Sequence, residues 1–260
     1  MTTPDFIRTT DHRLPYVAPD ETEGRQGFIF FQSVRLDLAV FLHESYRPLF
    51  IPTTSRWKSC ICGVCHSDLH TARNDWGWIY SPIVPGHEIV GRVIEVGAEV
   101  SRYRVGDHVA VGCMVDSCQQ CDQWRRGEEQ LCREGNTGTY AGRDRITGET
   151  TQGGYSKHLV VREEFCLQIP KGLDVARAAP LLCASITSYS LLRIWNVGSG
   201  SRVGVIGLGG LGHMAVKLAA GMGADVTVLS RSPSKREDAL VVSPIPIPIP
   251  IPIPIPIPMQ

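Results

Sequence analysis

Three short segments of this 260-residue chain carry residues able to build an open metal site. They are Cys65 in CGVCHSDLH, His87 in PGHE and Cys183 in APLLCASITSYS. Two thiolates and an imidazole suit zinc, and three protein ligands leave a fourth tetrahedral position for water or a substrate oxygen. A metal with such an open position can act as a Lewis acid on that oxygen. Singly, each residue has an ordinary explanation, since a buried cysteine is commonly a small apolar filler. Their combination points to a metal.

A second chemical signature follows. Gly207-x-Gly209-x-x-Gly212, with Gly210 inside it, lies between the strand-like RVGVIG and the amphipathic LGHMAVKLAAGMG. Glycines at this turn allow the tight bend and the close approach of a pyrophosphate, and the helix N-terminus supplies N–H donors to it. An NAD site would place an acid near the end of the next strand, DVTVLS, to bind the ribose hydroxyls. Asp225 sits at the wrong end of that strand. The right end reads Ser230, Arg231, Ser232, with Lys235 and Arg236 close behind. Hydroxyls and cations there fit the 2′-phosphate of NADP, although a solvated basic turn has the same composition.

Elements must position these groups. From Ile83 to Val111, β-branched residues alternate with glycines and charges, which reads as short strands of a small barrel. A cysteine-rich lobe follows from Cys113 to Cys132. The pattern turns helical from Val175 to Leu192, with Pro180 forcing a break or a first turn. RVGVIG reads as a buried strand, and with the following helix and DVTVLS it makes a βαβ unit. Residues 1–59 show no clear period.

Composition narrows the class. Lys+Arg and Asp+Glu number 26 each, so no bulk charge favours nucleic acid or a membrane surface. Nine cysteines, an odd number clustered at metal-like spacing, do not form a small disulfide scaffold. The apolar stretch Phe28 to Leu42 is interrupted by Gln32, Arg35 and Asp37 and is too short to span a bilayer. No signal peptide is visible, so the cytoplasm is the default expectation.

With these residues in view, the chain resembles the zinc-dependent medium-chain alcohol dehydrogenases, nearest the cinnamyl-alcohol-dehydrogenase-like, NADP-dependent branch. The resemblance covers about residues 60–240 and rests on six segments in the family's order. They are CGVCHSDLHTARNDWG, PGHEIVGRVIEVG, VGDHVAVGCMVDSCQQC, GGYSKHLVV, APLLCASITSYS and VGVIGLGGLGHMAVKLA. It implies an α/β plus β architecture: a GroES-like barrel catalytic domain over 60–190, then an incomplete Rossmann cofactor domain over 191–242. Residues 1–59 are an unplaced N-terminal segment and 243–260 an Ile-Pro tail.

Carried onto this chain, the resemblance makes Cys65, His87 and Cys183 the catalytic zinc ligands, a Cys₂His set already known for alcohol dehydrogenases. Glu88 becomes a carboxylate able to approach the metal, and Asp68 accepts the free ring N–H of His87. Ser67 and His70 form a proton relay, in which the serine hydroxyl takes the alcohol proton and an imidazole carries it on. His66 contacts the cofactor pyrophosphate. A second, structural zinc would use Cys118, Cys121 and Cys132, but its fourth ligand position is Trp124. Tryptophan cannot bind zinc, so a Cys₃ site would need water or a carboxylate. Cys113 is an alternative recruit.

The implied activity is hydride transfer between NADP(H) and a primary alcohol or aldehyde, cinnamyl-type or broader, with a family-like homodimer for a full-length chain. From Ser243 to Pro258, proline occupies every even position, which removes alternate backbone donors and favours an extended rod. The tract reads as a rigid linker or as a translated short repeat at a broken gene end. Two strands are recognisable before it, whereas a dinucleotide fold has about six. The competing reading is therefore a truncated, non-catalytic remnant that binds zinc at most, poorly soluble and without turnover. For a full-length version, the expected outcome is aldehyde reduction with NADPH preferred over NADH. Arg231→Asp should weaken use of NADPH far more than use of NADH, measured as kcat/KM with each cofactor.

Overall fold

The computed structural model describes residues 28–31, 38–41, 50–79, 82–230 and 232–242. The chain divides into two units, Met1–Ala179 and Pro180–Gln260.

In the first unit, strands β1 (Phe28–Phe31) and β2 (Leu38–Phe41) pair antiparallel. The unit's main feature is an antiparallel five-stranded sheet. In chain order its strands are β3 (Thr54–Cys62), β4 (Ile89–Val96), β5 (His108–Val111), β8 (His158–Arg162) and β9 (Leu167–Gln168), and in space they run β8-β3-β4-β5-β9. Between β3 and β4 lies helix α1 (His66–Arg73). Strands β6 (Met114–Asp116) and β7 (Thr137–Gly138) form a small ladder that brackets helix α2 (Asp122–Arg125) and the cysteine-rich lobe. Helix α3 (Val175–Ala178) closes the unit.

Alternation of side chains along β4 and β5 turns Ile89, Val93, Val109 and Val111 inward, where they cluster with Trp57 of β3, and leaves Ile94 exposed. Trp57 is fully buried and its indole N–H donates to Ser55 Oγ at 2.6 Å. That bond satisfies the one polar atom such a ring brings into a core. The sheet begins at Thr54, inside the segment where the sequence shows no period, and two register shifts in β3, at Arg56/Trp57 and Ser59/Ile61, break the simple alternation there.

The second unit holds helix α4 (Ala184–Ile194), strand β10 (Arg202–Ile206), helix α5 (Gly210–Gly221), strand β11 (Asp225–Leu229) and helix α6 (Arg236–Val242). Strands β10 and β11 are parallel, from Arg202 opposite Asp225 to Ile206 opposite Leu229, and α5 is their crossover. The apolar face of α5, with Val216, Ala219 and Ala220, packs on Val226 and Val228 of β11 and Val205 of β10. After α5 the chain turns at Gly223, φ +88°, the left-handed conformation that glycine adopts without strain. The apolar run reads as a strand buried on both faces, and in this chain one of its faces is open. Among the described residues β10 pairs only with β11, and Ile206 is 77% exposed while Val205 is buried. The strand is covered on one face. No single helix among the described residues is long and apolar enough to cross a membrane.

The glycines of the β10–α5 turn are unequal. Gly207 has φ +87°, and its N–H donates to Leu229 O at 2.8 Å, tying the turn to β11. A Cβ on Gly212 would run into the carbonyl oxygen of Gly207, whereas one on Gly210 would meet nothing within 4 Å. Gly212→Ala should therefore destabilise the second unit by about 1–3 kcal/mol. Gly210→Ala, in a helix, should be neutral or stabilising by up to ~1 kcal/mol. Thermal unfolding and amide exchange of β10 and α5 check both.

Candidate metal centre

The centre is assembled where β3 ends and β4 begins. Register pairs Cys62 with Ile89, and Gly63 N–H donates to Glu88 O at 2.9 Å. The ladder thus carries the segment after β3 alongside the segment before β4. Cys65 is the N-cap of α1, and Asp68 in the first turn accepts the Cys65 N–H at 2.9 Å while its own N–H donates to Cys65 O at 3.0 Å. This capping arrangement fixes where the Cys65 thiol stands.

Ligand atoms of Cys65, His87 and Glu88 lie within 4.8 Å of one another. His87 is buried, and its Nδ1 is 3.0 Å from Asp68 Oδ1. A carboxylate can only accept, so Nδ1 carries the proton and Nε2 is the nitrogen left for a metal. The same ring stands 5.6 Å from that of Tyr140. Asp68 is itself buried and also accepts Gly86 N–H at 3.0 Å and the Tyr155 hydroxyl at 3.0 Å. Burial acts to raise the Asp68 carboxyl, but the His87 bond and charge, the Cys65 amide and Tyr155 outweigh it and hold it below the usual carboxylate range. Tyr155 is the residue that reading the sequence missed. It lies 87 positions from Asp68, and nothing local marks it.

Glu88 is different. Burial first, and then the Cys65 charge, push its carboxyl up to about 7. Gly63 leaves the space it occupies, since a Cβ there would overlap its Oε2.

The other expected residues fall as follows. Ser67 Oγ is 3.6 Å from Cys65 Sγ. His70, one turn further along α1, is partly exposed, and its Nδ1 is 2.8 Å from Asp75 Oδ2. The rings of His66 and His70 are 6.3 Å apart. Cys183 belongs to the second unit, where it is the N-cap of α4 and its carbonyl accepts Thr187 N–H at 3.0 Å. In that unit Gly207 and Gly212 shape the turn before α5, and Gly209 and Gly210 leave open space beside its N-terminus. Lys235 reaches back to this turn, donating from Nζ to Leu208 O at 2.9 Å. Ser230 Oγ accepts Ser232 N–H at 3.2 Å, and Arg231 lies outside the described residues.

Cys118, Cys121 and Cys132 also converge within 4.8 Å. Cys113 is exposed and stands outside this group. Backbone N–H groups of Arg133 and then Trp124 lower the Cys121 thiol to about 7.

The chain thus carries an antiparallel sheet with a Cys/His/Glu cluster at one end and, further along, a glycine-turned βαβ unit. Residues 58–171 match the alcohol dehydrogenase GroES-like domain. NADP-dependent alcohol dehydrogenase C 1 of Mycolicibacterium smegmatis is 59% identical over 179 residues, 68% of this chain and 51% of that protein. Among solved structures, the cinnamyl alcohol dehydrogenase of Sorghum bicolor superposes with a TM-score of 0.72 at 44% identity, covering 75% of this chain and 56% of that one. The Helicobacter pylori CAD complexed with NADP(H) gives 0.71 at 38% identity, covering 84% and 62%. Residues 58–171 thus carry the GroES-like domain of the alcohol dehydrogenases, and the relatives support a resemblance to the zinc-dependent, cinnamyl-alcohol-dehydrogenase-like members. The chain spans about half the length of the curated relatives it matches.

Glu88 gives a signed pH test. Its folded pKa of about 7 lies above the usual 4.5, so the folded state keeps a proton that the unfolded chain has lost. In the metal-free chain this contribution is fully present below pH 4.5 and disappears as pH rises through about 7. Stability should fall by on the order of 1–3 kcal/mol across that window. Glu88→Gln should flatten the fall, and zinc should suppress it, because a bound cation favours the ionised carboxylate. Thermal unfolding against pH, with and without zinc, measures both.

Proposed function

We propose that the chain carries the metal centre and the nucleotide cradle of an NADP(H)-dependent alcohol dehydrogenase acting on a primary alcohol or aldehyde, cinnamyl-type or broader. The observation that carries this reading is the buried Asp68–His87 pair beside Cys65 and Glu88, since an imidazole fixed by a carboxylate is how a zinc-binding histidine is held. Cys65, His87 and Cys183 would hold the zinc, with Glu88 close enough to approach it. When bound, the metal supplies Lewis acidity to the substrate oxygen and the nicotinamide carries the hydride.

The remaining steps belong to side chains. Ser67, beside the Cys65 sulfur, receives the hydroxyl proton of the alcohol. His70 follows at i+3 on the same face of α1 and passes that proton to solvent, to which its ring is open. Asp75 keeps the proton on Nδ1 of His70, so Nε2 is the atom that accepts. Gly207, Gly209, Gly210 and Gly212 admit the pyrophosphate to the N-terminus of α5, where the helix presents N–H donors. His66 would approach that group from α1. Lys235 steadies the turn through Leu208, which adds a second role to its expected part in binding the 2′-phosphate. Ser230, Arg231 and Ser232 would complete the phosphate site.

Elemental analysis and cofactor titration test the proposal together. The purified chain should hold about one zinc, lost on Cys65→Ser or His87→Ala. Gly210→Ala should abolish NADPH binding while leaving the zinc in place. Ser67→Ala in the full-length protein should lower kcat for alcohol oxidation by about 10²-fold or more, the usual size of a positioned proton acceptor's contribution. Zinc that survives both ligand substitutions would sink the reading.

A further inference from the structure

The three thiols of the cysteine-rich lobe lie close enough to share one ion, yet among the described residues no further His, Cys, Asp or Glu ligand atom joins them at that distance. The nearest acids in sequence are already engaged. Asp122 accepts two bonds from Arg133, at 2.9 and 2.8 Å, and Glu134 accepts one from Arg145 at 3.1 Å. The thiols are instead surrounded by donors. Cys118 N–H points to Cys132 Sγ at 3.3 Å, Trp124 N–H to Cys121 Sγ at 3.5 Å, and Arg145 Nη2 stands 3.9 Å from Cys132 Sγ. Such contacts do not complete a coordination shell.

Trp124 decides what can complete it. Its backbone adjoins the thiols, but its indole is partly buried and packs against the core of the sheet, 5.9 Å from the ring of Phe165. The family resemblance would put the fourth ligand at position 124, and the tryptophan there has no lone pair to give and packs away from the thiols. Structural zinc is almost always four-coordinate, so here it would have to keep an exchangeable water. A soft monovalent cation is satisfied by thiolates alone and does not need a fourth ligand.

We infer that Cys118, Cys121 and Cys132 form a three-thiolate site for a soft, low-coordinate cation of the Cu(I) class, in place of a closed zinc site. The site is separate from the Cys65/His87 centre and does not rest on the function proposed for it.

Cu(I), delivered as its bicinchoninate complex to the reduced, zinc-loaded chain without oxygen, is the probe. Zinc and copper per chain are measured after desalting, and the neighbours of copper are counted by X-ray absorption. The first tight step should take up about one copper with three sulfur neighbours and no nitrogen, leaving the zinc held by Cys65 and His87 in place. Cys132→Ser should weaken that step at least about tenfold. Trp124→Cys should convert the site to one that retains a second zinc against a chelator. A nitrogen neighbour with loss of the zinc would mean that copper had entered the histidine-containing centre, and would overturn the inference. So would the absence of a tight copper step, or a second zinc in the unaltered chain held as firmly as in Trp124→Cys. Should Cys132→Ser fail to fold, the sulfur count in the unaltered chain decides alone.

Discussion

The candidate metal centre rests on one buried carboxylate. Asp68 receives N–H from Cys65, Gly86 and His87 and O–H from Tyr155. These four donors come from the start of α1, the loop before β4 and the segment before β8. An ionised carboxylate with about four lone-pair sites can accept all of them, and an apolar or cationic residue could accept none. Burial alone would drive the group to its neutral form, so the bonds must outweigh desolvation for the charge to persist. Removing the carboxylate would strand several buried donors at once, and the loss would reach well beyond the orientation of one ring.

Convergence of these segments is a property of the ladder. Because β3 and β4 run antiparallel with Cys62 opposite Ile89, the chain leaving β3 and the chain entering β4 occupy the same end of the sheet. Glycines then let backbone approach backbone. Gly86 has φ +104°, and a Cβ there would lie 2.9 Å from Cys62 Sγ and from Tyr155 N. The turn that presents His87 and the segment that presents Tyr155 can therefore lie against each other only with glycine between them.

Legibility in the sequence followed the span of each interaction. The glycine turn between β10 and α5 is determined within about 30 residues of chain, the length of a βαβ unit, and its strand, glycines and helix are all visible as a local pattern. Cys65 and His87 were legible as residue types suited to zinc, and Asp68 through the family resemblance. Tyr155 was not, since its hydroxyl matters only once the sheet has brought it to Asp68. The start of β3 was hidden for a related reason: its register shifts destroy the period that a strand would otherwise show.

The cysteine-rich lobe shows why a ligand pattern and a packing pattern have to be read together. By ligand spacing alone, Trp124 is a lost donor. Its packing against Phe165 gives it a second character, as an apolar group filling the boundary between the lobe and the sheet. A cysteine at 124 would supply a thiolate and vacate most of that volume, and the lost packing carries a cost of its own, less than the roughly 3–5 kcal/mol of truncating a fully buried tryptophan because Trp124 is only partly buried. Metal binding would have to exceed that cost before the exchange stabilised the lobe. The two effects carry opposite signs, and metal occupancy decides between them: without metal the tryptophan is the better residue, and with four-coordinate zinc the cysteine is.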